Sequence, residues 1–178
     1  MPSSTACSSG ETIVKPVAAG KTDGSLAARM ESARAMAIMA FDDRTGPYGD
    51  SLFEHSERVS CRVESVEAKT VAWLHDMVED TDVTLKEIRA AFGAKIAAAV
   101  DALTRRKGET YFSYVERAGT DALAREVKVA DIEDHLERGG IPSSLLKRYT
   151  KALSLLQPDD LGQDQADIVS DVSETLEP

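Results

Sequence analysis

The chain has 178 residues, 42% of them apolar and 29% charged, with a formal net charge of −10. That length accommodates one domain of ordinary core size with tails, and no apolar run reaches the ~18 residues a transmembrane helix needs. The acidity is concentrated at residues 157–178, which hold seven carboxylates and no Lys or Arg, so the remainder carries only −3. This balance argues against nonspecific binding of nucleic acid and leaves room for a small anionic ligand compensated by local cations.

Residues 1–24 are rich in Ser, Thr, Ala and Gly and read as a disordered leader, without the basic start and apolar stretch of a secretory signal. Cys7 and Cys61 are the only cysteines, too few for a disulfide framework, and a reducing cytoplasm is the expected location. The expected domain covers residues 25–156 and is helical nearly throughout. Ser25 can cap a helix over residues 26–39, built of strong helix formers. Gly46, Pro47 and Gly49 mark a loop at 43–50. A second helix carries Leu52, Phe53, Val59 and Val63, and a third is predicted from Ala68 to about Asp80. Thr84 and Glu87 form a capping box that opens a short helix ending at Gly93. Residues 96–104 continue helical until the break at 105–108, and further helices are expected at 111–118, 121–138 and 143–156. The tail at 157–178 reads as a solvated acidic segment. Alternating β-branched strands are absent, so the fold class is all-α, a single compact helical bundle.

The segment Ala72-Trp-Leu-His75-Asp76-Met-Val-Glu79-Asp80-Thr81 carries the chemistry. On a continuous helix Glu79 follows His75 by four residues and Asp76 by three, which places all three on one side. An imidazole and three carboxylates within two turns of an otherwise apolar helix cost free energy unless a cation sits among them. A divalent metal is the economical answer, with His and Asp as ligands. The remaining ligands must come from other helices. His55 lies about a turn before apolar positions, and Asp131 interrupts the apolar stretch around Val127, Val129 and Ala130. Each of these residues has an ordinary reading by itself: a surface histidine, solvated charges at a helix end, an aspartate paired with Lys128 or Arg125. Their joint occurrence within an apolar frame favours the metal.

In order, His55, His75-Asp76 and Asp131 resemble the ligand pattern of the HD superfamily of metal-dependent phosphohydrolases. Residues 75–81 resemble the hydrolase domain of the bifunctional alarmone enzymes and their small stand-alone relatives. The resemblance extends through residues 82–88, 100–105, 108–111 and 127–131 to Arg148 and Tyr149, covering about 26–156. It implies an HD-domain helical bundle in which His55, His75, Asp76 and Asp131 hold one divalent ion. Manganese is the first choice, with magnesium, iron, cobalt and zinc as alternatives. It further implies that Glu79 and Asp80 orient the attacking water and move protons, and that Arg44, Arg105, Arg106, Lys128, His135 and Tyr149 contact substrate. The implied reaction releases pyrophosphate from the 3′ position of guanosine 3′,5′-bis(diphosphate), ppGpp, in a stand-alone hydrolase with no synthetase partner domain.

Two positions depart from that pattern. The loop before His55, which helps hold the guanine base in the family, has only Arg44 to supply charge, and His135 stands where relatives carry an asparagine. These departures keep a second reading alongside the first, a phosphohydrolase of another nucleotide or small phosphate ester. A third is a noncatalytic nucleotide-binding module, disfavoured because Glu79 and Asp80 are both present. The same pair disfavours a helical scaffold with a purely structural metal. A phosphorylated small molecule is the expected partner, nucleic acid and membrane are not, and an oligomer is not indicated.

Overall fold

A computed structural model describes residues 25–46, 49–138 and 141–157. The expected leader with Cys7, the loop residues Pro47 and Tyr48, and residues 158–178 of the acidic tail lie outside the described residues. Everything described is helix, turn or loop apart from one isolated antiparallel bridge between Thr45 and Ser51. The all-α expectation is met, and no described helix is long and apolar enough to cross a membrane.

At the centre is α3 (Val66–Leu74), which packs against α1 (Leu26–Ala40), α2 (Leu52–Arg62), α6 (Ala94–Leu103) and α8 (Ala122–Glu137). Its residues Ala68, Thr70, Val71, Ala72, Trp73 and Leu74 are all buried, as expected for a helix whose apolar character runs around its whole circumference. Small side chains on α1, Ala33 and Ala37, are fully buried on that helix's inner face. Val71, Leu74, Val100, Val127 and Ile132 are fully enclosed in the core, each contributing ~1.5–3 kcal/mol by leaving water. Outside this layer, α7 (Tyr111–Gly119) and α9 (Ser143–Leu156) pack on α8 and on each other.

The helix starts follow local chemistry. Ser25, Ser51, Ser65, Thr110 and Asp121 each accept a backbone N–H from the first turn that follows, a contact worth ~1 kcal/mol apiece. The predicted capping box of Thr84 and Glu87 is present and opens α5 (Leu85–Phe92). Gly93 adopts φ +90°, which ends α5 and turns the chain directly into α6.

One expectation is corrected. The helix predicted from Ala68 to Asp80 starts two residues earlier and breaks at His75–Asp76, leaving α3 and the single turn α4 (Met77–Asp80). Asp76 sits at φ −93°, ψ −3°, in the bridge region where many active-site residues are found. The His75 ring contacts the Ala72 carbonyl at 2.8 Å, the acceptor that the Asp76 N–H would use in a continuous helix. A side chain that competes for a helix carbonyl in this way favours a break.

Candidate metal centre

Three segments deliver the predicted ligands: His55 from α2, His75 and Asp76 from the turn between α3 and α4, and Asp131 from α8. Each imidazole of the pair has one nitrogen committed. His55 Nδ1 lies 2.9 Å from Asp134 Oδ2, and His75 Nδ1 lies 2.8 Å from the Ala72 carbonyl oxygen. An ionised carboxylate and a carbonyl can only accept, so Nδ1 is the donor on both rings. In the neutral tautomer this leaves a lone pair on Nε2, the form in which histidine binds metals. Both Nε2 atoms are buried and neither has a hydrogen-bond partner.

The carboxylates stand at matching distances. His75 Nε2 is 3.2 Å from Asp76 Oδ2, and His55 Nε2 is 3.2 Å from Asp131 Oδ1 and 3.8 Å from Asp76 Oδ2. Two ligands held at ~2.2 Å from one ion, at right angles to each other, are themselves ~3.1 Å apart. The ligand atoms of His55, His75 and Asp76 all lie within 4.8 Å of one another, as do those of His55, Asp131 and His135. Donor set and tautomer, and the spacing within each group of three, therefore fit a divalent cation.

Charges around the cluster are set by their neighbours. Burial works against the Asp131 carboxylate, but Lys128 at 2.6 Å and the flanking His135 and His55 hold it well below the usual range. Burial likewise works against Lys128, and Asp131 keeps the ammonium charged. Asp76 is held low against burial by His75. Glu79 and Asp80 go the other way. Both remain solvent-accessible, yet partial desolvation raises both carboxyls, aided at Asp80 by the charge of Asp76 and opposed at Glu79 by the Arg105 N–H that donates to Oε1.

These groups line a cavity of about 360 Å³. Its floor is His55, Asp76 and Asp131. Glu79 and Asp80 line it too, as do Arg105, Lys128, Arg148, Tyr111, Tyr114, His135 and Tyr149. Of the substrate contacts expected from sequence, Arg105, Lys128, His135 and Tyr149 reach the cavity. The Arg105 guanidinium is turned onto the Glu109 carbonyl, at 2.8 and 3.1 Å. Arg44 and Arg106 are not among the lining residues: Arg44 donates to the Asp80 carbonyl at 2.6 Å, and Arg106 pairs with Asp101 at 3.5 Å.

Sequence reading passed over several contributors. Asp134 is 1% exposed and binds the His55 ring and the Arg58 guanidinium, whose Nε lies 2.8 Å from Oδ1. The available signal was its position three residues after Asp131, one turn along the same face of a helix. Tyr111 and Arg148 fall in stretches that carry the resemblance but were given no role there, Tyr114 lies outside them, and all three line the cavity.

No protein-family model matches the chain. In structure it is similar to a metazoan ortholog of SpoT that hydrolyzes ppGpp and plays a role in starvation responses. The likeness covers 72% of this chain and 83% of that one at a TM-score of 0.59, with 20% sequence identity. The all-helical fold is thus shared with a ppGpp hydrolase, in keeping with the resemblance drawn from the motifs.

Proposed function

We propose that this chain is a metal-dependent phosphohydrolase of the HD type, and that its first candidate reaction is removal of the 3′-diphosphate from ppGpp. The observation that carries the proposal is the pair of buried, unbonded Nε2 atoms of His55 and His75: His55 lines the cavity with Asp76 and Asp131, and His75 stands behind them, 3.2 Å from Asp76. The shared fold with a ppGpp hydrolase supports the same reading.

His55, His75, Asp76 and Asp131 would hold the ion, with manganese the first choice. When bound, such an ion supplies Lewis acidity, polarising a phosphoryl oxygen and acidifying water. The remaining work falls to the chain. The backbone of Arg105 fixes Glu79, and both Glu79 and Asp80 have carboxyls raised toward the range useful for proton transfer. Glu79 accepts the proton of the attacking water, and Asp80 orients it. Arg44, through its bond to the Asp80 carbonyl, fixes the end of α4 that carries this acid pair. Lys128 and Arg148 offset the negative charge that a phosphorylated substrate brings to a floor of carboxylates, and the Tyr149 ring offers a flat apolar wall.

A second reading, hydrolysis of another phosphate compound, is favoured by one observation: Arg44, the only cation of the loop before His55, is engaged by Asp80 and does not line the cavity. A panel of ppGpp, ordinary nucleotides and a generic phosphate ester, assayed with manganese for pyrophosphate and phosphate separately, decides between them. Pyrophosphate from ppGpp alone supports the first reading; turnover elsewhere with ppGpp untouched replaces it with the second.

A further inference from the structure

The sequence pattern assigns His135 to substrate, but its surroundings in the fold are those of a ligand. His135 follows Asp131 by four residues on α8, the spacing that lets two side chains on one helix face grip the same ion. Asp131 divides its two oxygens. Oδ2 accepts from Lys128 Nζ at 2.6 Å, while Oδ1 lies 3.2 Å from His55 Nε2 and 3.2 Å from His135 Nε2. One carboxylate oxygen thus stands at the same distance from two imidazole nitrogens, each at the separation of neighbouring ligands on one ion. The His135 ring is held in this orientation by stacking on His55, at 4.9 Å between centroids and 18° between planes, and on Tyr149, at 5.6 Å and 12°. Its side chain is 18% exposed, between the buried floor and the open cavity.

His55 belongs to both groups of residues whose ligand atoms converge, His55–His75–Asp76 and His55–Asp131–His135. The ligand atoms converge within each group and the two groups meet at His55; we infer that they draw together around one ion with His135 as a fifth protein ligand, an inference that rests on the proposed metal site. The two carboxylates balance the charge of a divalent ion. The nitrogen-rich set favours a first-row transition ion over magnesium, which prefers oxygen ligands. An asparagine at position 135 would offer only a weak amide donor and would leave a four-ligand site.

Pulsed electron paramagnetic resonance on the full chain loaded with Mn2+, its histidines labelled with 15N, counts directly bound imidazole nitrogens. The expected count is three in the wild type and two in His135→Asn, with the Mn2+ dissociation constant raised at least ~10-fold in the variant. A wild-type count of two would overturn the fifth ligand and leave His135 as a hydrogen-bond donor to Asp131. That result needs only the wild type, so it stands even if the variant folds poorly. A wild type that binds no Mn2+ or shows no coupled nitrogen would overturn the metal site itself, a different failure from a count of two.

Discussion

Asp134 Oδ2 lies 2.9 Å from His55 Nδ1 and fixes the one tautomer of that ring that turns a lone pair toward Asp131 and Asp76. The same carboxylate is gripped by Arg58 through Nε at 2.8 Å and Nη2 at 3.0 Å. Asp50 in turn pairs with Arg138 and lies 3.7 Å from Arg58. Metal-ligating histidines depend on such partners, and the buried Asp134 is the least replaceable part of this support.

Asp134→Ala should therefore weaken metal binding by ~10–100-fold without touching a ligand. It should also destabilise the fold, because the buried His55 ring loses its partner, while the partly exposed Arg58 can turn to water. Titration calorimetry and denaturant unfolding of the same variant read the two effects. Wild-type affinity in Asp134→Ala would contradict the role assigned to the His55–Asp134 contact.

Metal uptake should release protons. Burial disfavours the charged His55 ring, but the carboxylates of Asp131, Asp134 and Asp76 around it outweigh burial and raise its pKa from 6.5 to about 10; His75 is raised as well. The proton on Nε2 must leave before an ion enters, so affinity climbs with pH. In the metal-free chain the sign for stability is opposite. A folded pKa above the unfolded one stabilises fully below about 6.5 and loses that contribution as pH rises through about 10. Calorimetry in buffers of different ionisation enthalpy should find net proton release per ion; none would contradict this protonation state.

Glu79→Gln should keep the metal and lose turnover by ~10²–10⁴-fold. The amide oxygen can still accept the Arg105 N–H, so the local fold is preserved while the base is removed. Metal content and kcat measured on one preparation separate the effects. Full activity in this variant would remove Glu79 from the mechanism.

Acid stability should depend on Glu109, which binds Arg117 through both oxygens at 2.7 Å. Arg117 also donates to the carbonyls of Asp101, Ala102 and Thr104 at the end of α6. The Arg117 guanidinium holds the Glu109 carboxyl down to about 2 from 4.5. A depressed folded pKa stabilises fully above about 4.5, and the contribution disappears as pH falls toward about 2. Glu109→Gln should flatten the melting-temperature profile in that window relative to the wild type. Parallel profiles would contradict the assignment.

The helices were legible because apolar residues, caps and glycine stops recur with regular local spacing, as at Ser25, Thr84 and Gly93. The break at His75–Asp76 was not, because it depends on a ring competing for the Ala72 carbonyl, a contact that propensity does not encode. The predicted ligands converge because each interrupts an apolar face that must pack inward. The contribution of Asp134 stayed hidden because it comes from a contact between α2 and α8, 79 residues apart in sequence. Arg44 and Arg106 show the converse: sequence marks a cation as available, while only the fold reveals that Asp80 and Asp101 already engage them.

The most direct test of the central claim is reconstitution of chelator-stripped protein with measured amounts of Mn2+, following hydrolysis of the best substrate from the panel. The account predicts negligible turnover in the stripped protein and activity that rises linearly to saturate at one ion per chain. It further predicts that His75→Ala fails to recover at any stoichiometry. Undiminished turnover in stripped protein, or full recovery in His75→Ala, would contradict a metal centre built on His55, His75, Asp76 and Asp131.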